Sequence, residues 1–328
     1  MAGQPPGGFV ARNDKRDKDR PGDETALMLT VARRYHLDDE SKVSIAKELG
    51  ISRFQVARLL QEARRSGLVR IEVGSPGHID EDLSARVASQ LGLDRVVVVE
   101  AHPTSDQATF DLLGAALAAE LERVVTENTR VGIAWSRASP AMARALRRMP
   151  PCTVVQLSGA IYPPDGLPGS VEVTRDVASA IRGRAHILYS PLVVPDIETA
   201  EGLRRQPEIA ATLSMADQLD VAVLSVGAWR RGESAVHDLL NDRELAELQP
   251  LGIRGEVSGR LFDAEGNVVP TTLDQRVIGA SLDQLRAAPM IITTACGTHR
   301  RDATLSVVRA GLSQTLIIDS ELATALLD

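Results

Sequence analysis

The chain has 328 residues, 44% hydrophobic but only 3% aromatic, which is enough apolar material for aliphatic cores in two domains. A net charge of −7 excludes a protein coated in positive charge, and two distant cysteines, Cys152 and Cys296, argue for buried inert thiols rather than a disulfide. With no run near the ~18 apolar residues of a membrane span and no secretory segment at its start, a soluble cytoplasmic protein is expected.

In chain order, residues 1–22 mix Gly and Pro with alternating Lys, Arg and Asp, and read as a disordered tail. Residues 24–36 carry an apolar stripe and predict a helix, on which Arg33 and Arg34 either reach DNA phosphates or are ordinary solvated charges. Residues 41–66, SKVSIAKELGISRFQVARLLQEARRS, predict a helix–turn–helix. Ser41 caps the first helix, Ile45, Ala46 and Leu49 share its inner face, and Gly50 supplies the positive φ that ends it. Ser52 caps the second helix, which buries Val56, Leu59, Leu60 and Ala63. Arg53, Gln55 and Arg58 then project from its N-terminal half, where this motif meets base edges, while Ser41, Lys42 and Ser52 are placed to hold the phosphate backbone. Two such helices also occur in bundles that never touch DNA. Residues 33–70 hold nine Lys/Arg against five Asp/Glu, so a basic module sits on an acidic remainder. Gly67 to Val73 alternates like a strand, either a wing or a strand packed beside the helices. Turn residues at Gly74–Gly77 mark a boundary, giving a tail at 1–22, a DNA-binding domain at 23–75 and a second domain at 76–328.

Beyond the boundary, residues 79–91 predict a linking helix where paired subunits could meet, and strands then alternate with helices. Strands are expected at 95–99, 129–135, 153–158, 185–189, 219–226, 256–262, 290–295 and 314–318. Helices are expected near 108–127, 140–148, 171–183, 207–217 and 301–311, and a hairpin turn at Asp263–Asn267. The pattern implies a mainly parallel α/β sheet with helices on both faces. Ligands then collect at the carboxyl ends of strands. Three loops lie there: Trp135–Pro140, a phosphate cradle or a routine turn capped by Ser139; Ser158–Gly159; and Cys296–Arg300, where Gly297 allows close approach and Arg300 offers a fork for phosphate. His186, His237 and His299 have no acid or nucleophile at motif spacing, so catalysis is not expected. No HExxH, CxxC pair, Walker loop or GxGxxG is present, and no metal or cofactor is expected.

From about residue 24 to 328 the chain resembles the SorC-type sugar-binding transcriptional regulators. The likeness rests on IAKELGISRFQVARLLQEARRSGLVRIEV, VGIAWSRAS, GEVSGRLFDAEGNVV, RVIGASLDQLRAAP and ACGTHRRDATLSVVRAGLSQTLIIDSELATALL, in that order. The resemblance implies a winged-type helix–turn–helix followed by a Rossmann-like effector domain related to sugar-phosphate isomerases and deaminases. It also implies a homo-oligomer, dimer or tetramer, whose affinity for operator DNA responds to a sugar, polyol or sugar phosphate. Carried over by position, the effector residues are Ser136, Arg137, Ser139, Ser158, Gly159, Thr174, Glu256, Gly297 and Arg300. Trp135, Ser136, Arg137 and Ala138 stand where the family prefers Gly and Thr, Cys296 where it has Gly, and Arg300 where it has Lys, which suggests an altered effector such as an unphosphorylated sugar or polyol. Rival readings are a sugar-phosphate isomerase or deaminase carrying a DNA-binding head, and a sigma-like, partner-binding protein.

Overall fold

The computed structural model describes residues 21–38, 40–69, 79–100, 106–163 and 166–328, and the chain divides into two compact units, Met1–Gly74 and Ser75–Asp328. The expected tail, up to residue 20, and the expected strand beyond Val69 lie outside the described residues.

The first unit is built by α1 (Pro21–His36), α2 (Lys42–Leu49) and α3 (Arg53–Arg65). Its caps form as the sequence requires. Ser41 Oγ accepts from Ser44 N–H at 3.1 Å, Gly50 closes α2 at φ 65°, and Ser52 and Gln55 cap each other reciprocally across the first turn of α3. Val31, Ile45, Val56, Leu59 and Ala63 fill the core between the helices, and Ala46 is small and buried where they cross. Arg34 acts as a strut within the unit. It grips both carboxylate oxygens of Glu40 at 2.7 Å and also pairs with Glu48, fastening α1 to the start and end of α2.

The second unit carries a seven-stranded, all-parallel sheet in a Rossmann-like arrangement, as expected. Its strands are β1 (Arg95–Val99), β2 (Arg130–Ile133), β3 (Thr153–Gln156), β4 (Arg184–His186), β5 (Val221–Ser225), β9 (Met290–Ala295) and β10 (Thr315–Asp319). A separate antiparallel sheet is formed by β6 (Gly227–Ala228), β7 (Gly255–Val257) and β8 (Arg260–Phe262). The run of four valines in β1 shows why the strands read as continuously apolar. Val97 and Val99 face one core with α5 (Asp106–Val124), α6 (Ser139–Ala145) and α7 (Ser170–Ala180). Val96 and Val98 face a second core with α4 (Glu81–Leu91) and the helices Arg301–Arg309 and Ser320–Leu327. Both faces are covered, so both parities must be apolar. The inner face of α4 is therefore used within its own unit, with Leu83 and Val87 packed among Val96, Val98 and Leu322, rather than being kept for a subunit contact.

Residues 256–262 depart from the single strand expected. They form a hairpin whose two central residues, Ser258 (φ 50°) and Gly259 (φ 83°), are both left-handed, the type I′ geometry that suits the twist of two tight strands. The turn at Asp263–Asn267 forms as well, with Asp263 N–H donating to the Asn267 carbonyl at 3.0 Å. Among the described residues no helix is long and apolar enough to cross a membrane.

Strand order is β1-β10-β9-β5-β2-β3-β4. From β2 the chain winds outward through β3 and β4, then returns to place β5 on the other side of β2 and winds the opposite way. The carboxyl ends of β2 and β5 therefore diverge, opening a crevice at the topological switch point.

Candidate functional site

The first candidate surface is the outer face of α3. Arg53, Gln55 and Arg58 are all exposed there, beside Phe54, the second helical residue, which is 87% exposed. Phe54 was not singled out from sequence; an aromatic off the apolar stripe of a recognition helix was the available signal. Gln55 is partly committed: its Oε1 accepts from Ser52 N–H at 3.1 Å, leaving the amide nitrogen as its outward donor. Ser41 and Ser52 are exposed caps, and the Lys42 ammonium lies 5.2 Å from the Tyr35 ring centroid.

The second candidate is a cavity of about 460 Å³ at the switch point in the second unit. Trp135, Ser136 and Arg137 enter from the end of β2, Ser225 and Val226 from β5, Ala295 and Cys296 from β9, and Ser158 from beyond β3. Glu256 and Ser258 of the small antiparallel sheet close another side. A side chamber of about 320 Å³ shares Phe110, Arg137, Glu233, Cys296 and Arg300 with it and adds Gly297, His299 and Asp319. Five of the nine expected effector residues thus line the main cavity (Ser136, Arg137, Ser158, Glu256 and Arg300), and Gly297 lines the chamber.

Three do not line either space. Ser139 is fully buried and locked to Ser136: their hydroxyls lie 2.7 Å apart, Ser139 N–H donates to Ser136 Oγ at 3.1 Å, and Ser136 N–H donates to Ser139 Oγ at 3.0 Å. Ser139 is thus the first helical residue of α6 and Ser136 the residue that braces it. Thr174 is buried in α7, donating to the Ser170 carbonyl at 2.8 Å. Gly159 is glycine for packing, since a Cβ there would stand 2.3 Å from the Pro191 carbonyl oxygen.

The charged groups at the mouth are paired internally. Arg300 donates through Nη1 to the Cys296 carbonyl at 2.6 Å and pairs through Nη2 with Glu233. His299 Nε2 lies 2.8 Å from Arg300 Nη1 and 2.9 Å from Glu233 Oε2. Burial lowers the proton affinity of Arg300 and the Glu233 charge opposes that shift. Gly297 sits at φ 86° and its N–H donates to Asp319 Oδ2 at 2.6 Å, while Asp319 Oδ1 caps the helix that follows β10. Glu256 is buried with no cation: Oε1 accepts from Gly259 N–H at 2.6 Å and Oε2 from Ser234 Oγ at 2.9 Å. Desolvation raises its pKa above the usual carboxylate value, and those two hydrogen bonds pull the other way. Both cysteines are free thiols, Cys152 pushed up to about 11 by burial and Cys296 further by burial beside Asp319. Glu233, Ser234 and Asp319 escaped the sequence reading. An Asp at the join of β10 and a helix was a legible cap, but nothing marked Glu233.

A helix–turn–helix unit preceding a Rossmann-like domain with a cavity at its switch point defines a ligand-responsive, DNA-binding regulator. Residues 78–328 match the family described as "Putative sugar-binding domain". The uncharacterized transcriptional regulator YjhU of Escherichia coli (strain K12) is 29% identical over 303 residues, 89% of this chain and 92% of that protein. The deoxyribonucleoside regulator of Bacillus subtilis (strain 168) is 29% identical over 313 residues, 92% of this chain and 97% of that one. The crystal structure of the full-length sorbitol operon regulator SorC from Klebsiella pneumoniae superposes with a TM-score of 0.69 at 23% identity, covering 93% of this chain and 100% of that one. The chain belongs to this sugar-binding family and is a SorC-type transcriptional regulator.

Proposed function

We propose that this regulator reads operator DNA with α3 and changes its DNA affinity when a carbohydrate-class ligand fills the cavity at the switch point. The observation that carries the reading is that cavity, which holds Glu256, Ser158 and Arg137 within the family-matched unit of a chain that also folds a helix–turn–helix. Arg53 and Arg58 contact base edges, Gln55 donates through its amide nitrogen, and Phe54 meets a thymine methyl. Ser41, Lys42 and Ser52 hold the phosphate backbone. In the cavity Glu256 retains lone pairs beyond the two already used and accepts ligand hydroxyls, while Trp135 and Phe110 supply apolar surface for a sugar ring. Ser139, Gly159 and Thr174 shape the walls from behind, and Ser136, Ser158, Arg137, Gly297 and Arg300 border the ligand or its chamber. The protein acts as a homo-oligomer on a two-fold operator, and the ligand favours one subunit arrangement over another by differential affinity.

The regulatory reading is favoured over turnover by the similar proteins, which are named as regulators. The test is a titration of the full chain against DNA from upstream of its own gene and against scrambled duplex, with and without a panel of sugars and polyols. A preference for the upstream DNA that one carbohydrate shifts is expected. Equal binding to both duplexes under every carbohydrate would overturn the reading. Arg53→Ala should lower operator affinity by about 1–3 kcal/mol and relax base preference, whereas Lys42→Ala should weaken both duplexes alike.

A further inference from the structure

We propose that Glu233 and Asp319 hold the Arg300 and Gly297 donors of this site, so that the cavity takes an uncharged polyhydroxylated ligand and turns away its phosphate ester. Glu233 is then the residue that sets this choice. The inference rests on reading the cavity as the effector site, and deepens that reading.

Beside Arg137, three kinds of donor at the strand ends suit a phosphate by residue type, and each is already engaged within the unit. The Ser136 and Ser139 hydroxyls bond to one another at 2.7 Å. The Gly297 N–H, presented by a left-handed backbone, donates to Asp319 Oδ2 at 2.6 Å. The Arg300 guanidinium pairs with Glu233 and with the Cys296 carbonyl. Two of the three partners are carboxylates, which carry the charge and the planar acceptor geometry that a phosphate oxygen pair would otherwise supply.

The loop that carries Glu233 is pinned on both sides. Gly232 N–H donates to both carboxylate oxygens of Asp238, at 2.9 and 3.1 Å. Ser234 is buried, accepts from His237 N–H at 3.1 Å and donates to the buried Glu256 at 2.9 Å. These anchors fix the backbone that carries Glu233, and one of them supplies one of the two hydrogen bonds that Glu256 receives among the described residues. The chamber is also of the wrong sign for a dianion. Asp106, Glu233, Asp319 and Glu321 line it against Arg137 and Arg300, four carboxylates to two guanidiniums. A neutral sugar or polyol meets no such repulsion, and finds hydroxyl and carboxylate acceptors at Ser158 and Glu256 in the larger cavity.

The experiment is calorimetric titration of the full chain with inorganic phosphate at fixed ionic strength and neutral pH. Wild type should show no saturable binding in the millimolar range, Glu233→Gln should gain at least about tenfold in affinity, and the double variant Glu233→Gln with Arg300→Gln should lose that gain. Glu233→Ala is read in parallel, so that a folding defect in one variant leaves the other to decide. Wild type binding phosphate as tightly as the variants, or no gain in either folded variant, overturns the proposal. The titration uses no DNA, so its failure leaves the regulator reading standing, whereas failure of the operator assay leaves the phosphate result interpretable.

Discussion

The two units present their polar side chains in opposite ways. In the first, the helices bury a small aliphatic core and leave Arg53, Phe54 and Arg58 on the outside of α3. In the second, several polar groups at the strand ends are bound to another part of the same unit: Arg300 to Glu233, Gly297 to Asp319, Glu256 to Ser234 and Gly259. A surface that reads a long polyanion works with exposed donors, because water and counterions hold them until DNA arrives. A cavity that selects a small molecule excludes wrong ligands by leaving few partners unsatisfied. Donors on an exposed helix can be listed from residue type alone, whereas those in a crevice cannot, because their partners come from distant parts of the chain.

The sharpest way to break the comparison is to destroy one unit alone. Val56 is 0% exposed at the centre of the first core, so Val56→Asp buries an unpaired carboxylate and should destabilise that unit by several kcal/mol. Operator binding should vanish while the main calorimetric transition of the second unit stays in place; a comparable shift in both would contradict the division into two units. Next in size is Gly159→Ala. Its Cβ would stand 2.3 Å from a backbone carbonyl oxygen, and backbone gives way less than a side chain, so a loss of about 1–3 kcal/mol in the second unit is expected from denaturant unfolding. A neutral Gly159→Ala with impaired ligand binding would instead return Gly159 to a ligand contact. Ser52→Ala removes the cap of α3 and should cost about 1 kcal/mol in the first unit only, seen as a lower melting temperature for that transition.

The smallest effect is a slope rather than a step. Burial raises the Glu256 pKa above 4.5, so the folded chain holds this proton to higher pH than the unfolded chain does. Its contribution to stability is fully present below that ordinary value and is lost as pH rises through the raised one. Glu256→Gln, which keeps the shape and can still accept from Gly259 N–H, should flatten this part of the stability–pH profile. An unchanged profile would show that Glu256 titrates alike in the folded and unfolded chain, and would weaken its assignment as a buried, undercompensated acceptor.

Legibility followed the range of the interactions involved. The helix–turn–helix could be read because its signals are local: Ser41, Gly50 and Ser52 act on the backbone within three or four residues, and the apolar spacing of α3 needs only its own period. Arg34 was left ambiguous for the opposite reason, since its partners lie six and fourteen residues away. The type I′ hairpin at Ser258–Gly259 was legible from its dipeptide, but residues 256–262 read as a single strand. In the cavity, the sequence picked Arg300 but not Glu233, which lies 67 residues earlier and reaches it only through the fold.

Amino-acid order alone settled the helical caps, the two-faced apolar strands and the alternation of strand with helix, because each depends on backbone geometry repeated over a few residues. Only the tertiary structure decided where β5 sits beside β2, which donors at the strand ends are already taken, and which glycines exist for packing rather than for a ligand. Those outcomes depend on contacts between residues distant in the chain, and no local pattern encodes the distance at which two side chains meet.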